Sequence, residues 1–299
     1  MSAALVALCP ILAWGQVIVD PKAPTANLPG MTTSSKGVPT INIAPPDGGL
    51  SYNKFLNFDV GPNGVILNNS TAGGQSRIGG AAGANPRLVG SGAASTILNQ
   101  VTGTGASRLS GATEVFGTRA DVIRANPNGI TCTGCSFINT VRASLVTAVP
   151  TVSGSSATFN VTKGILTADG ANALDGSLDV VGRHVIVGAG GITAQGSLLI
   201  SGGSQVYDPK TQTVRAAPVV NTRQVPLAVD GSSFGAMTAG QIRIHGNEAG
   251  LGVAVYGDVK ATGAADAGSV AITSLNDLYV FNSSGQGSEK ITATGAVNQ

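Results

Sequence analysis

Short runs of alternating apolar and polar residues recur through the second half of the chain. A period of two is typical of β-strands, and the Gly and Asn residues between the runs favour turns. None of the runs has a helical period, so the pattern excludes a sheet with helices between its strands. The clearest runs cover 240–244, 252–256, 268–272, 277–281 and 290–294.

The spacing of these runs predicts a repeating coil. Ile242 and Val270 are 28 residues apart, and Val270 and Ile291 are 21 residues apart. In a second, interleaved series, Val253 and Leu278 are 25 residues apart. A mean of about 25 residues suits one coil of a solenoid of short strands. We therefore predict an all-β fold, a parallel β-helix in which the two residues of each pair lie on successive coils.

The composition agrees with a solenoid. The 299 residues include 43 Gly, whereas aromatic residues make up 4% and charged residues 11%. Few aromatic residues require a core of stacked Val, Ile, Leu, Ala and Thr, and many glycines require many turns. Low charge with 42% hydrophobic residues argues against disorder. The net charge is +2 and there is no basic run, so a nucleic-acid surface is a poor interpretation.

The N-terminus has the character of a signal-peptide core. The apolar run at 3–13 is too short to cross a bilayer. Ala13 and Gly15 are the small residues that predict cleavage before Gln16. The basic leader expected ahead of such a core is missing, and a buried N-terminal strand is the alternative. We predict that 1–15 is a signal-peptide remnant, that the protein is exported, and that it has no stable membrane span.

The sequence Asn126-Pro127-Asn128-Gly129-Ile130 predicts a tight corner. Proline fixes φ at about −65°, and an Asn-Gly pair tolerates the left-handed region. The β-branched and aromatic residues that follow predict a strand directly after the corner.

Two cysteines, Cys132 and Cys135, lie in the strand after this corner. In an exported protein a disulfide is the default state of such a pair. A zinc site would need a second Cys or His pair, and His184 and His245 are isolated in the sequence. A redox role needs a helix N-terminus beside the first cysteine. We predict a disulfide that stiffens the corner, with metal and redox roles as the alternatives.

Three blocks of sequence, in a fixed order, point to one family. They are LSYNKFLNFDV (50–60) with GVILNNS (64–70), NPRL (85–88), and NPNGI (126–130) running on to FIN (137–139). The blocks resemble the secretion domain of the two-partner secretion exoproteins of Gram-negative bacteria. That family includes filamentous haemagglutinins, secreted haemolysins and contact-dependent growth inhibition effectors. In the second block, Arg87 stands where the family usually has Asn.

This resemblance implies a right-handed parallel β-helix that a dedicated outer-membrane transporter exports. Together with the strand pattern, it gives one secretion domain over 16–299. We expect an N-terminal cap at 16–60, a region of cap and extra-helical β-structure at 61–112, and coils over 113–299. An excursion is predicted near 203–226, where prolines interrupt the strand pattern.

The resemblance further implies a role in secretion and targeting, not catalysis. After export by the Sec machinery, periplasmic POTRA (polypeptide-transport-associated) domains of a cognate outer-membrane β-barrel transporter would recognise the domain. The domain would then nucleate β-helix folding at the cell surface, and we expect a monomer that is secreted or surface-bound. The same residues serve equally well as simple turns. The residues predicted to be recognised are Asn126, Pro127, Asn128, Gly129 and Ile130, then Asn85, Pro86 and Leu88, then Asn68 and Asn69.

Two other functions fit a parallel β-helix. One is an adhesin or carbohydrate-binding surface domain, which exposed aromatic ladders would favour. The other is a polysaccharide-degrading enzyme, which needs acids and bases on neighbouring coils. Asp175 and Asp179 are the closest of the dispersed acids, and neither is expected to have a Lys or Arg partner at coil spacing. No catalytic residue, cofactor or metal site is therefore predicted.

Overall fold

The chain folds almost entirely into short β-strands. The computed structural model describes residues 16–219, 227–263 and 268–280, with the strand backbone at 283–285, 289–293 and 297–298. Within them, Thr25–Asn27 and Pro86–Leu88 form one-turn 3-10 helices. In chain order, β1 to β34 are Val17–Val19, Gly30–Thr33, Pro39–Asn42, Leu50–Phe58, Val65–Asn69, Gly74–Ser76, Gly80–Ala82, Thr96–Val101, Ser107–Leu109, Ala112–Gly117, Ala120–Ala125, Ile130–Thr133, Ser136–Ile138, Thr140–Val146, Pro150–Ser153, Ser156–Val161, Ile165–Asp169, Ala171–Ala173, Ser177–Val181, His184–Val187, Ile192–Ala194, Ser197–Gly202, Gln205–Asp208, Thr213–Ala216, Leu227–Gly231, Met237–Ala239, Gln241–Gly246, Gly252–Val255, Val259–Ala261, Val270–Ser274, Leu278–Val280, Ser283–Gly285, Glu289–Ala293 and Val297–Asn298.

Three long sheets form the walls of a parallel β-helix. Sheet A has the order β1-β4-β8-β11-β14-β19-β22-β27-β30-β33, and sheet B has the order β2-β3-β5-β10-β13-β18-β21-β26-β29-β32. Sheet C has the order β34-β31-β28-β25-β20-β17-β12-β9. From β9 onward the chain visits sheets C, B and A in turn, so neighbouring strands belong to successive coils. The all-β parallel β-helix predicted from the sequence is confirmed.

The strand register follows the predicted repeat at two points and departs from it at a third. Ile242 pairs with Val270 and Val253 pairs with Leu278, which confirms both predicted pairs. Ile291, however, pairs with Ile272, two residues beyond Val270. The prediction for that pair was wrong because residues two apart face the same side of a strand. The alternating pattern therefore fixes the inward face but leaves a two-residue slip open.

Inward-facing aliphatic side chains fill the space between the three sheets. Phe55 and Phe58 are 0% exposed, which confirms their predicted place in the core. Their ring centroids lie 4.7 Å apart with an interplanar angle of 78°, an edge-to-face contact. Further along, stacked Val, Ile, Leu and Ala residues of successive coils continue the same core. The core is thus contiguous from the first coil to the last described one.

Extra strands lie outside the coils. The hairpin β6–β7 packs over sheet B, and β15, β16, β23 and β24 form an antiparallel sheet over part of the outer face of sheet A. Phe159 and Tyr207 of this antiparallel sheet are 0% exposed against that face. We call the four strands the insert sheet. Its last two strands lie within 203–226, of which 220–226 falls outside the described residues.

The N-terminal region closes the open end of the coils. β1 pairs antiparallel with β4, and β2 pairs antiparallel with β3. In the segment 61–112, β5 and β8 run parallel to β10 and β11 and so belong to the coil stack. The predicted signal-peptide remnant at 1–15 lies outside the described residues. None of the helices in the described ranges is long and apolar enough to cross a bilayer.

Acid is expected to destabilise the domain through His245. Burial, with a smaller effect of Arg243, lowers the pKa of His245 to about 4 from 6.5, and its Nδ1 lies 2.7 Å from Thr273 Oγ1. The unfolded chain therefore binds more protons below pH 6.5, so stability falls as the pH drops from 6.5 towards 4. Relative to His245→Gln, we expect the native protein to lose roughly 1–2 kcal/mol at pH 5. Urea unfolding of both proteins at pH 7 and pH 5 measures this; equal losses would contradict it.

Candidate functional site

The Asn126–Ile130 corner joins sheet A to sheet C. β11 ends just before it, and Ile130 begins β12 and is 1% exposed in the core. Gly129 has φ +119°, and a Cβ at this position would lie 3.0 Å from the carbonyl oxygen of Ile165 on the next coil. A glycine meets both this conformation and this close approach. The stacking of coils therefore explains the glycine of the motif.

The Asn126 amide is buried inside this corner and is bonded at both ends. Its Nδ2 donates to the carbonyl oxygen of Gly105 and to Ser107 Oγ, each at 3.0 Å. Its Oδ1 accepts from the backbone N–H of Asn128 at 3.0 Å and from Asn128 Nδ2 at 3.1 Å. Because Gly105 lies at the same corner of the preceding coil, Asn126 ties two coils together. At 0% exposure, this amide cannot reach a partner while the corner is closed.

The Asn85-Pro86 corner is built in a similar way. Asn85 Oδ1 accepts from the backbone N–H of Arg87 at 2.9 Å and so caps the one-turn helix Pro86–Leu88. Asn85 Nδ2 donates to the carbonyl oxygens of Ile43 at 3.0 Å and Asn68 at 2.9 Å. The cap uses the side chain of Asn85 and the backbone of Arg87. An arginine in place of the family's Asn at 87 is therefore compatible with the corner.

Asn68 and Asn69 are also consumed by internal bonds. Asn68 Nδ2 donates to Asn42 Oδ1 at 2.8 Å, across two neighbouring strands of sheet B. Asn69 Nδ2 donates at 2.8 Å to the carbonyl oxygens of both Ala94 and Thr118. Buried amides with this many partners fix the path of the loops that they join. Both residues lie at the end of β5 and hold the loops that leave it.

The predicted recognition residues divide into buried and accessible groups. Asn128 and Pro86 are exposed, and Pro127 is half-buried beside a cleft of about 230 Å³ that Lys163 also lines. Asn128 keeps one bond of its own, from Nδ2 to the carbonyl oxygen of Gly103 at 2.8 Å. In the folded domain, only the accessible group can meet a partner. The buried group comprises Asn68, Asn69, Asn85, Leu88, Asn126, Gly129 and Ile130.

Cys132 and Cys135 form a disulfide across the corner between β12 and β13. Both residues are buried, and Gly134 between them has φ +69°. Closing so short a loop contributes about 2 kcal/mol in the chain-entropy model. The bond therefore stiffens one corner, while backbone pairing and the core hold the stack.

Asp175 and Asp179 each have an arginine partner, so the expectation that they lack one was wrong. Arg142 Nη1 lies 2.5 Å from Asp179 Oδ1, and Arg77 Nη1 lies 2.8 Å from Asp175 Oδ2. Arg142 is 37 residues from Asp179, on a coil that β15 and β16 lengthen, and Arg77 is 98 residues from Asp175 near the β6–β7 hairpin. A search at the regular spacing misses both pairs because insertions change the separation in sequence without changing the stacking.

The Asp179 carboxylate holds the insert sheet to the coils. Its Oδ2 accepts from Tyr207 Oη at 2.6 Å and from Ser144 Oγ at 3.2 Å, while Arg142 binds its other oxygen. Asp179 and Tyr207 are both 0% exposed. Burial raises the pKa of Tyr207 well above its usual range. An acid enclosed in this way supports packing of the insert sheet and has no open face for a polysaccharide.

Glu114 is a structural residue that the sequence analysis did not single out. It is 3% exposed and accepts from Ser76 Oγ at 2.7 Å and from the backbone N–H groups of Arg77 at 2.8 Å and Ile78 at 3.0 Å. Three donors around one carboxylate fix the turn of the β6–β7 hairpin. A single acid within the apolar strand β10 was the available signal.

Other chemistry is sparse in the part of the chain that the structure describes. No three His, Cys, Asp or Glu residues come together there as metal ligands. Phe234 is 64% exposed, and its ring centroid lies 5.8 Å from that of Tyr256 on the next coil. Two rings on two coils are shorter than the ladder that the carbohydrate-binding hypothesis needs.

Comparison with known proteins gives consistent matches. A family model described as "TPS secretion domain" matches residues 15–274. The chain is 38% identical over 274 residues to tRNA nuclease CdiA of Escherichia coli strain STEC_O31, covering 89% of this chain and 8% of that protein. It is 38% identical over 255 residues to filamentous hemagglutinin of Bordetella pertussis, covering 81% of this chain and 7% of that protein. The chain thus spans less than a tenth of these relatives.

The fold agrees with the sequence matches. A crystal structure of a filamentous hemagglutinin secretion domain superposes with a TM-score of 0.79 and 31% identity, covering 94% of this chain and 98% of that one. The Serratia marcescens hemolysin is 36% identical over 250 residues, covering 79% of this chain and 15% of that protein. The chain therefore belongs to the TPS secretion domain family, the secretion domains of two-partner secretion exoproteins that Gram-negative bacteria release or display at the cell surface.

Proposed function

We propose that this domain delivers a larger exoprotein to a cognate outer-membrane transporter and then nucleates its β-helix outside the cell. After Sec-dependent export, POTRA domains of the transporter bind the chain in the periplasm. The observation that carries the proposal is the match to the TPS secretion domain over residues 15–274. The nuclease and toxin activities in the names of the relatives belong to those proteins, of which this chain matches less than a tenth.

Recognition takes place on an extended chain. An extended segment can add a strand to an exposed sheet edge of a POTRA domain, and its side chains then supply specificity. The burial of Asn126, Asn85, Asn68 and Asn69 supports this order of events, since these amides are accessible only before their corners close. Asn128 and Pro86 stay accessible in both states. The transporter therefore binds first, and the corners close afterwards.

Folding outside the cell makes export directional. The cap supplies a paired edge, and β10 and β11 then add in register to β5 and β8. Each further coil buries apolar side chains on the coil before it, which is the nearest-neighbour stabilisation of a solenoid. Because a folded coil cannot return through the transporter, export needs no separate energy source at the outer membrane.

Secretion of an Asn128→Ala variant tests the proposal. Asn63→Ala is the matched control, because Pro62-Asn63-Gly64 is another Pro-Asn-Gly turn and Asn63 is equally exposed. We expect Asn128→Ala to lower secretion through the cognate transporter several-fold and Asn63→Ala to leave it unchanged, with similar urea midpoints for both. Equal secretion of the two variants would remove Asn128 from recognition. Undiminished secretion without the transporter would overturn the proposed function itself.

A further inference from the structure

One charged side chain lies in the bore of the β-helix, the space enclosed by sheets A, B and C. On the inward face of sheet A, the residues in register are Asn53, Asn99, Arg124, Leu145 and Val180. Leu145 and Val180 belong to the apolar core, and the same register continues apolar along the later coils. Arg124 therefore occupies the last polar position before the apolar core begins.

The Arg124 guanidinium is enclosed without hydrogen bonds. Arg124 is 1% exposed, and its Nε, Nη1 and Nη2 are buried with no hydrogen-bond partner among the described residues. Asn99, its neighbour in the register, is 0% exposed, and both atoms of its amide likewise have no partner within that part of the chain. Arg124 Cζ lies 3.0 Å from the ring centroid of Phe58. The cation thus contacts an aromatic face where an acceptor would be expected.

The acid whose charge acts on Arg124 is engaged elsewhere. Asp59 Oδ1 accepts from the backbone N–H of Arg108 at 2.7 Å, and its Oδ2 accepts from Asn57 Nδ2 at 3.1 Å. Burial lowers the pKa of Arg124 well below its usual range. An unpaired cation in an apolar core is one of the costliest arrangements in a protein, and a cation–π contact offsets only part of the cost.

We propose that Arg124 is a brake on the folding of the coil that carries the Asn126–Ile130 corner. Water solvates the guanidinium in the extended chain, and pairing of β11 with β8 removes that water without supplying acceptors. Closure of this coil is therefore less favourable than closure of the next one, which places Leu145 at the same position. The inference rests on the proposed function, because delayed closure keeps the corner extended until the transporter has bound it.

Neutral substitutions at Arg124 release the brake. Arg124→Leu copies the next residue of the register, and Arg124→Met keeps the length of the chain if the leucine variant folds poorly. Arg215→Leu, at an exposed arginine of β24, is the control for loss of one positive charge. We expect at least one Arg124 variant to have a urea midpoint about 0.5 M or more higher and to refold faster, with no such change in the control. Secretion of the full-length protein through its cognate transporter is then measured for each variant.

Each outcome bears on one part of the inference. Reduced secretion of a stabilised Arg124 variant, with normal secretion of Arg215→Leu, supports the brake. If both Arg124 variants have unchanged or lower midpoints, the guanidinium is satisfied in the bore and the brake does not exist. If a variant is stabilised but is secreted normally, the brake has no role in export, although transporter-dependent secretion still stands. If the native protein leaves the cell without the transporter, the proposed function fails independently of the midpoints.

Discussion

Asn126→Ala is expected to destabilise the domain by about 3–5 kcal/mol, more than any other side-chain truncation at the Asn-Pro corners. The amide makes four hydrogen bonds at 0% exposure. Alanine would leave the carbonyl oxygen of Gly105 and the backbone N–H of Asn128 without these partners inside a packed corner. Each unsatisfied buried group costs about 1–3 kcal/mol. Urea unfolding followed by far-UV circular dichroism measures the loss.

Asn128→Ala provides the control for this substitution. It removes an amide from the same corner, but Asn128 is exposed and water can replace its lost bonds. We expect a loss of about 1 kcal/mol or less for this variant. If the purified Asn126→Ala protein has the native midpoint and is nevertheless not secreted, the amide acts in recognition and its structural importance here is overestimated.

The coil repeat could be predicted from the sequence because it depends on local chemistry. Alternation defines the inward face, and glycine and asparagine define the corners, so the pairs Ile242–Val270 and Val253–Leu278 follow from spacing alone. The pair at Val270 and Ile291 fails because nothing local distinguishes Ile272 from Val270 as the partner. Register to within two residues is settled by loop lengths, which the sequence pattern does not fix.

The burial of the corner amides could not be predicted, because their partners are not local. Asn63 and Asn128 both follow proline and precede glycine, and both are exposed. Asn126 begins its corner, and its amide is covered because the loop at Gly105 passes beside it on the preceding coil. The same limit applies to Arg142 and Asp179, whose contact depends on a bulge in β11 and β14 and on the inserted strands. Insertions outside the coils are therefore the main obstacle to locating side-chain pairs from spacing.

Gly235→Ala is expected to destabilise the coil stack by about 3 kcal/mol or more. A Cβ at this position would lie 1.9 Å from the carbonyl oxygen of Gly188, far inside van der Waals contact. Gly257 meets Gly235 in the same way on the next coil, at 2.3 Å from its carbonyl oxygen. Three successive corners between sheets C and B thus approach through glycine backbone. Because the opposing atoms are backbone, neither coil can yield without shifting its strands.

The position of this corner in the stack determines how the variant unfolds. In a solenoid each coil contacts only its neighbours, so a defect between two coils weakens the coupling of everything on either side. We expect the Gly235→Ala protein to lose the single cooperative transition and to be cleaved by protease first in the coils after Val187. Gly83→Ala is the control, since a Cβ there meets nothing within 4 Å. A Gly235→Ala protein that unfolds at the midpoint of Gly83→Ala would mean that the corners can separate without cost, and that stacking at the glycine column does not limit the stability of the helix.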